Sequence, residues 1–422
     1  MEKIIYTDKI LPESCYSVVL SNGLKIFLTE KKDFNTYYAV FGTKYGSIDT
    51  CFSKNGEEKV SVPEGIAHYL EHKLFESEDG DAFTRYAKTG AQANAFTSFD
   101  RTCYLFSCAD RFYDNLEILL DFVQSPYFTE QTVQKEQGII GQEIRMYDDS
   151  APWCVLFNML EGMYKNHPVR IDIAGTVESI AKIDANLLYK CYNTFYNPAN
   201  MYICIAGNFE ASKVVDFINS RIKTSERVTI ERDTFAEPDD IIKPYVEKSM
   251  EVAKPLFCLG FKEKCEGERT LKESICSAML LDILSGDTSP LYERLLNEGL
   301  INSEFDSEYF QGNGYAAPIW QGESDDPQAV KTAIIDEINR LKKEGIDEEI
   351  FESSRRSLYG DAIRRYNKAE SIVMGLVDSA MFSFGPFDDL EILRNLKRED
   401  VEERLSLLCE DKAVLSVIIP KA

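Results

Sequence analysis

Two of the three histidines in the chain lie four residues apart, with a glutamate between them. His68, Glu71 and His72 form the segment HYLEH, an H-x-x-E-H pattern. At about 100° per residue of an α-helix, the two histidines point to one face and can bind one metal ion. Glu71 then projects beside them, toward a water on that metal. The pattern is typical of a zinc hydrolase with Glu71 as general base, although two histidines on an amphipathic helix can also be ordinary polar residues.

A catalytic zinc site needs three protein ligands and one open position, so a third ligand must come from another segment. The stretch TVQKEQGIIGQEIRMYDD supplies two candidates, Glu136 and Glu143, which are two helical turns apart. One can bind the metal while the other holds a ligand or the water in place. Spacing alone does not choose between them. Ile139, Ile140 and Ile144 predict that this helix is largely packed, where an unpaired glutamate is costly.

The elements around the motif follow from periodicity and turn residues. Residues 63–77 open with a proline and carry apolar residues at helical spacing, so they predict the helix that holds both histidines. Asn22 and Gly23 predict the turn of a hairpin over residues 16–30. Further strands are predicted at 37–47, 91–109 (two strands) and 200–208, and further helices at about 81–90, 111–125, 129–147 and 176–196.

The second part of the chain repeats the pattern of the first. Residues 255–265 are similar to the strand 37–47, and the closing KAVLSVIIPKA is similar to NMYICIAGN. Between them, SICSAMLLDILSG corresponds to the histidine helix and SPLYERLLNEG to DAFTRYAKTG. We therefore predict an α+β fold of two similar halves, each an antiparallel sheet with helices packed on one face. The predicted domains are residues 1–222 and 245–422, joined by a polar linker at 223–244.

Composition excludes several classes of protein. The 422 residues carry 47 Lys and Arg against 71 Asp and Glu, a net charge of −24, which argues against nucleic-acid binding. No apolar run approaches the roughly 20 residues that cross a bilayer, and the opening MEKIIYTDKILPES lacks a signal-peptide core. The 11 cysteines are scattered without a C-x-x-C pattern, which is typical of reduced thiols. We expect a soluble, cytoplasmic protein that binds neither nucleic acid nor membrane.

Over nearly its whole length the chain resembles the pitrilysin, insulinase and mitochondrial-processing-peptidase group of inverzincin metallopeptidases. The similarity runs, in the family's order, through HYLEH, GAQANAFTSFDRTCY, KEQGIIGQEI, NHPVRIDIAGT and FYNPANMYICIAGN. It implies that Glu143 is the third zinc ligand, that Glu136 supports the site, and that Glu71 is the base. It also implies that Asn94 and Ala95 lie on an edge strand that receives the substrate as an additional strand.

The second half lacks the motif, since AMLLD stands at residues 278–282 where the repeat places HYLEH. The last histidine, His167 in NHPVR, is predicted to be a loop or capping residue, so we expect one Zn²⁺ per chain. The resemblance implies two such two-domain units closing around a peptide. We therefore expect a zinc endopeptidase that hydrolyses extended or unfolded peptides in a chamber formed with a second chain. The alternatives are a non-catalytic scaffold subunit and a peptide-binding module with structural zinc.

One departure from the family concerns the partner chain. Active members commonly carry an arginine and a tyrosine, seven residues apart, in the second half. In SPLYERLLNEGLINSEF, Arg294 comes a turn early, and Ile301 or Asn302 stands in place of the tyrosine. Tyr292 and Arg294 fit equally well as packed and exposed positions of an ordinary helix. We therefore predict a heterodimer with a related chain of similar length that supplies these two residues, with a homodimer as the alternative.

Overall fold

The computed structural model describes residues 2–78 and 80–421. Its strands are β1 (Glu2–Thr7), β2 (Ser14–Val19), β3 (Lys25–Glu30), β4 (Tyr37–Thr43), β5 (Cys51–Lys54), β6 (Val60–Ser61), β7 (Glu76–Ser77), β8 (Gly80–Asp81), β9 (Gln92–Thr97), β10 (Thr102–Cys108), β11 (Met201–Gly207), β12 (Ile230–Arg232), β13 (Tyr245–Met250), β14 (Leu256–Phe261), β15 (Asp306–Gly312), β16 (Tyr315–Glu323) and β17 (Ala413–Pro420).

The α-helices are α1 (Ile66–Leu74), α2 (Ala82–Ala87), α3 (Phe112–Val123), α4 (Glu130–Asp148), α5 (Ala151–Met163), α6 (Val177–Ile180), α7 (Ala185–Phe195), α8 (Ala211–Arg221), α9 (Leu271–Ser285), α10 (Pro290–Asn297), α11 (Pro327–Glu344), α12 (Glu348–Arg364), α13 (Ala369–Phe382), α14 (Asp388–Asn395) and α15 (Arg398–Leu405). Short 3₁₀ turns connect several of them. Within the described ranges, no helix is long and apolar enough to cross a membrane.

The predicted two similar halves are confirmed by the order of strands in two sheets. The first sheet runs β1-β2-β3-β11-β4-β10-β9 and the second β13-β17-β14-β16-β15. Five neighbouring strands of the first sheet, β3, β11, β4, β10 and β9, therefore each have one counterpart in the second sheet, in the same order. The first pair of each set, β3·β11 and β13·β17, is parallel, and the other pairs of the two sets are antiparallel. One parallel pair in each sheet is the difference from the purely antiparallel expectation.

The chain divides into two compact units, and neither is continuous in sequence. The first comprises Met1–Ile144, Asp172–Asp233 and Ile363–Asp388; the second comprises Arg145–Ile171, Thr234–Ala362 and Asp389–Ala422. Each predicted half of the sequence thus contributes a segment to the other unit. The boundaries at residues 222 and 245 stay a prediction.

The exchanged segments are helices that cover the second face of each sheet. In the first unit, Phe112 of α3 stacks on Tyr37 of β4, whereas α13 packs against β4 and β11 from the side of Tyr38. Neighbouring residues of a strand point to opposite faces, so α3 and α13 lie on opposite faces of the sheet. In the second unit, α5 lies against β14 at Gly260, opposite the apolar core on which α9 and α11 pack.

Most predicted elements near the motif form as expected. The hairpin at residues 16–30 is β2 and β3, with Gly23 at φ +95° in the turn. The predicted helix at 176–196 is wrong in one respect, because it is two helices, α6 and α7. Thr176 caps the first and Asp184 caps the second, and these two caps break the periodicity that predicted one helix. Helix α5 was not predicted.

Candidate metal centre

Helix α1 begins directly after a glycine whose conformation other residues rarely adopt. Gly65 has φ +85°, and a Cβ atom there would lie 2.3 Å from the carbonyl oxygen of Ala174. Next to this contact, the Ser179 hydroxyl donates to the Glu64 carbonyl at 2.9 Å. These contacts fix where the helix begins and therefore where the HYLEH motif lies.

The structure brings His68, His72 and Glu143 together. The two imidazole rings lie on adjacent turns of α1 with centroids 4.6 Å apart. His68 Nε2 is 3.6 Å from Glu143 Oε1, and His72 Nε2 is 3.3 Å from Glu143 Oε2. One potential ligand atom from each of the three residues lies within 4.8 Å of the others. Two nitrogens and one carboxylate oxygen thus converge on one point from α1 and α4.

Glu136 lies on the other side of the His72 ring. Its Oε1 is 3.1 Å from His72 Nδ1. Glu136 lies two helical turns before Glu143 in α4. Burial disfavours the imidazolium, but hydrogen bonds to Glu136 and Glu143 raise the pKa of His72 to about 10. Burial also disfavours the charged form of Glu136, yet the bond to His72 lowers the pKa of this carboxyl. The two glutamates therefore face different nitrogens, which spacing alone did not distinguish.

The Nδ1 atoms of His68 and His72 differ in their hydrogen-bond partners. His72 Nδ1 has the Glu136 carboxylate, whereas His68 Nδ1 is buried and has no hydrogen-bond partner among the described residues. His68 is therefore held by packing, and its polar contact is through Nε2.

Glu71 lies beside the histidines and is 8 % exposed. Its Oε2 accepts a hydrogen bond of 2.7 Å from the Thr97 hydroxyl at the end of β9. Sequence reasoning missed Thr97, although alternation along β9 places it on the same face as Ala95. The carboxylate lies beside the cluster and is not one of the three converging groups.

Two hydrogen bonds hold α4 against its neighbours. The Tyr69 hydroxyl, fully buried in α1, donates to the Val133 carbonyl, and Gln137 Nε2 donates to the Ile180 carbonyl at 3.0 Å. Ile140 and Ile144 are buried in α4, as the sequence predicted. The prediction that the helix is largely packed is wrong, because only four of its 19 residues are buried and Ile139 is 47 % exposed.

A cavity of about 580 Å³ opens beside the cluster and is lined in part by Asn94 and Ala95, the two residues predicted on the edge strand. Its lining includes Glu71, His72, Asn94, Ala95, Glu136 and Ile139. The rings of Phe75 and Phe83 form another part of the wall, stacked with centroids 4.3 Å apart. Ile139 is exposed because its side chain faces this cavity rather than the core.

Strand β9 is the last strand of the first sheet, so one of its edges is unpaired within the described part of the sheet. Asn94 Oδ1 accepts a 2.9 Å hydrogen bond from the Ala95 N–H. The backbone donor of Ala95 is therefore satisfied by a neighbouring side chain rather than by another strand. This agrees with the predicted edge position of both residues.

The donor set fits a zinc ion. Two imidazole nitrogens and one carboxylate oxygen form a known catalytic set. Each histidine Nε2 faces a different oxygen of Glu143, at 3.6 Å from Oε1 to His68 and 3.3 Å from Oε2 to His72, and one potential ligand atom from each residue lies within 4.8 Å of the others. Glu136 supplies the carboxylate that commonly orients a metal-binding histidine from its outer nitrogen.

Two family models match the chain. Residues 59–177 match the model described as insulinase, peptidase family M16, and residues 182–358 match the model described as the M16 inactive domain. The zinc protease YmfH of Bacillus subtilis, itself described as uncharacterized, is 40% identical over 98% of both chains. The chain belongs to peptidase family M16.

Solved structures agree with this family assignment. An M16-like peptidase from Alicyclobacillus acidocaldarius is 35% identical, with a TM-score of 0.93 over 97% of this M16 chain and 99% of that one. Pitrilysin is 16% identical and shares the fold, with a TM-score of 0.77; all of this M16 chain matches 46% of the pitrilysin chain.

The remaining sequence predictions concern the second unit. His167 caps a 3₁₀ turn, since its Nδ1 accepts from the Val169 N–H at 3.1 Å, which confirms the capping prediction. Arg294 is exposed on α10, while Tyr292 packs against the core of that unit with its ring 6.1 Å from Phe305. Both residues occupy ordinary helix positions. All 11 cysteines are free, and eight of them are buried.

Proposed function

We propose that this chain is a zinc-dependent endopeptidase of the H-x-x-E-H type, with one Zn²⁺ held by His68, His72 and Glu143. The observation that carries the proposal is the convergence of these three groups within 4.8 Å, beside Glu71 and an open strand edge. The name of the B. subtilis relative, a zinc protease, supports the same function. Glu136 supports the site by holding His72 in one orientation.

The chemistry divides between the ion and the side chains. When bound, zinc supplies Lewis-acid chemistry: it polarises the scissile carbonyl and lowers the pKa of a water molecule to about 7. Glu71, lying next to the ligands, accepts the proton of the attacking water and delivers it to the leaving amine. Glu71 lies in the wall of the cavity, where it can reach both the oxygen of the attacking water and the nitrogen of the leaving amine.

The substrate in this proposal is an extended peptide that adds to β9. The Ala95 N–H, now bonded to Asn94 Oδ1, would donate to a carbonyl of the peptide instead, so Asn94 moves aside as the peptide pairs. Backbone pairing favours extended or unfolded chains over folded ones. The stacked Phe75 and Phe83 offer an apolar wall to one substrate side chain.

We further propose that the working enzyme contains a second chain. In fold, this chain matches 46% of the pitrilysin chain, so two chains of this length would span nearly as much of that fold. Because Arg294 and Tyr292 occupy ordinary positions on α10, we propose a related chain that supplies the missing pair, and hence a heterodimer; a homodimer is the alternative. The cytoplasm remains the proposed location, consistent with 11 free thiols.

The deciding experiment measures zinc content and hydrolysis of a quenched peptide library by the purified full chain. We expect about one zinc per chain, and hydrolysis that a chelator abolishes and added zinc restores. The chain alone should cleave slowly, and a related M16 chain should raise its turnover. Zinc binding without hydrolysis, even with that chain present, would favour a scaffold or a peptide-binding module. A chain that binds no zinc would overturn the proposal.

A further inference from the structure

The hydroxyl of Thr97 is the hydrogen-bond partner of the Glu71 carboxylate within the described residues. The 2.7 Å bond runs to Oε2, and Oε1 makes no hydrogen bond to the described part of the protein. The carboxylate is 8 % exposed and lies in the wall of the cavity. One oxygen is therefore held by the protein, and the other is left for a water molecule.

The direction of this hydrogen bond follows from the neighbouring hydroxyl. Thr102, directly opposite Thr97 in the β9·β10 ladder, donates to the Tyr45 carbonyl at 2.9 Å. The two threonine hydroxyls are 3.4 Å apart, which is a weaker contact. A hydroxyl has one proton to donate, and the nearer acceptor for the Thr97 proton is Glu71. Thr97 thus donates to the carboxylate, the stronger kind of hydrogen bond.

Thr97 also belongs to the strand that would receive the peptide. It lies two residues after Ala95 in β9, and α1 packs against this strand. A peptide paired with β9 has its register set by the backbone of that strand. A single hydroxyl therefore connects the strand that positions the peptide with the carboxylate that acts on it.

The second unit lacks this pair. Along the ladders, Gly42 leads through Cys103 to Phe96, and Gly260, its repeat counterpart, leads through Ile319 to Glu308, so Tyr309 is the counterpart of Thr97. Leu281 stands at the repeat position of Glu71. The Tyr309 hydroxyl donates instead to Glu263 Oε2 at 2.8 Å.

We propose that Thr97 is a positioning residue for Glu71: it fixes the carboxylate relative to β9 so that Oε1 faces the water and the bound peptide. The proposal rests on the proposed function and extends it to a residue outside the H-x-x-E-H motif. Because a small misplacement of a catalytic group is costly, loss of this bond should lower kcat by about 10 to 100-fold.

The test uses Thr97→Val, which keeps the β-branched shape and removes the hydroxyl, and Thr97→Ser, which keeps the hydroxyl. Both are measured as the zinc-loaded full chain, under the partner conditions that support wild-type turnover. We expect Thr97→Val to lower kcat by about 10 to 100-fold, with KM within about threefold and zinc content unchanged. Thr97→Ser should recover most of kcat. A structural role alone would make both variants similar or would also release zinc.

A double variant isolates the coupling. In a Glu71→Gln background, Thr97→Val should change the residual turnover by less than about twofold, because the hydroxyl acts through Glu71. An equal effect in both backgrounds would overturn the proposal, as would wild-type kcat in Thr97→Val.

Crystal structures separate this inference from the proposed function. Thr97→Val with zinc bound should show the Glu71 carboxylate rotated or in more than one conformation, whereas Thr97→Ser should show the wild-type position. An unchanged Glu71 in Thr97→Val would overturn the positioning role even if the enzyme is active. A wild-type chain that hydrolyses no peptide would instead overturn the proposed function, and the position of Glu71 would still decide the role of Thr97.

Discussion

Helix α1 follows β4 after the short strands β5 and β6, whereas α9 follows β14 directly. Both helices pack against the edge strand of their sheet, β9 or β15, but their chemistry differs. In α1 the HYLEH segment carries a buried carboxylate and two imidazoles, which face two glutamates of α4. In α9 the AMLLD segment has Leu281 buried in an apolar core, and Asp282 accepts a hydrogen bond from Ser354 of α12. One fold therefore supports a polar centre in one unit and an apolar core in the other.

The comparison shows that the polar residues of α1 are not needed to build this fold. Leu281 adds apolar contacts where Glu71 has one hydroxyl partner, and burying a polar group without full compensation costs free energy. His68 carries a further cost, since its buried Nδ1 is unpaired within the part of the chain that the structure describes. Such residues are better explained by function than by stability.

The largest expected difference between the units is in catalysis. Glu71→Gln removes the base while keeping the size of the side chain, so kcat should fall by about 1,000-fold or more with zinc still bound. Asp282→Asn, a carboxylate-to-amide change in α9 one residue after the repeat position of Glu71, should leave kcat within about twofold. Turnover and zinc content of both variants decide the question. Near-normal activity in a zinc-loaded Glu71→Gln chain would contradict the assignment of the base.

The two glutamates of α4 should differ in their effect on the metal. Glu143→Gln removes a proposed ligand and should sharply weaken zinc binding. Glu136→Gln removes only the support of His72 and should weaken it by about 10 to 100-fold. Competition with a chromophoric chelator measures both, with the exposed Glu130→Gln at the start of α4 as control. A greater loss of affinity in Glu136→Gln would reverse the two roles.

Zinc removal should destabilise one unit more than the other. At a free concentration about 1,000 times its Kd, a bound ion stabilises the folded state by about 4 kcal/mol. Chelation should therefore speed amide hydrogen exchange in α1 and α4, while α9 and α12 change less. Exchange followed by mass spectrometry, with and without chelator, measures this directly. Equal acceleration in all four helices would show that the metal stabilises both units alike.

The smallest expected effect concerns histidines whose pKa values move in opposite directions. Burial lowers the pKa of His167 to about 4, whereas that of His72 is raised. Folded His167 binds its proton less readily than the unfolded chain, so its contribution to stability is full above pH 6.5. That contribution, at most about 3 kcal/mol, is lost as the pH falls toward 4.

His167→Gln tests this expectation, because glutamine can still hydrogen bond with Val169 N–H and the Asn313 carbonyl. Urea unfolding of the metal-free protein should show a smaller loss of stability between pH 6.5 and 4 in the variant than in the wild type. The same pH dependence in both proteins would show that His167 does not cause it.

Sequence reasoning predicted the parts of the fold that depend on local patterns. The hairpin at Asn22 and Gly23, the histidine helix and the repeat of strands all follow from turn residues and periodicity. The motif also predicted that His68 and His72 share a face with Glu71 beside them. The different positions of Glu136 and Glu143 came from the resemblance, because two residues seven apart look alike in a helical pattern.

Other features depend on contacts between distant segments. Thr97 meets Glu71 across 26 residues, and no periodicity in either segment predicts the bond. Ile139 looked like a core residue because a cavity wall and a core both favour apolar side chains. The sequence also does not predict which sheet α5 and α13 pack against, because the pattern of an amphipathic helix does not specify the sheet that it covers.

The position of α13 has a consequence for synthesis on the ribosome. The sheet that carries the edge strand β9 is covered on one face by α13, which ends at residue 382. The strand of this sheet that is synthesised last, β11, ends much earlier, at residue 207. During translation at about 5–20 residues per second, the apolar face of this sheet stays bare for roughly 10 to 35 seconds. The first unit is therefore finished late, and the nascent chain exposes an aggregation-prone surface that a chaperone can shield until α13 emerges.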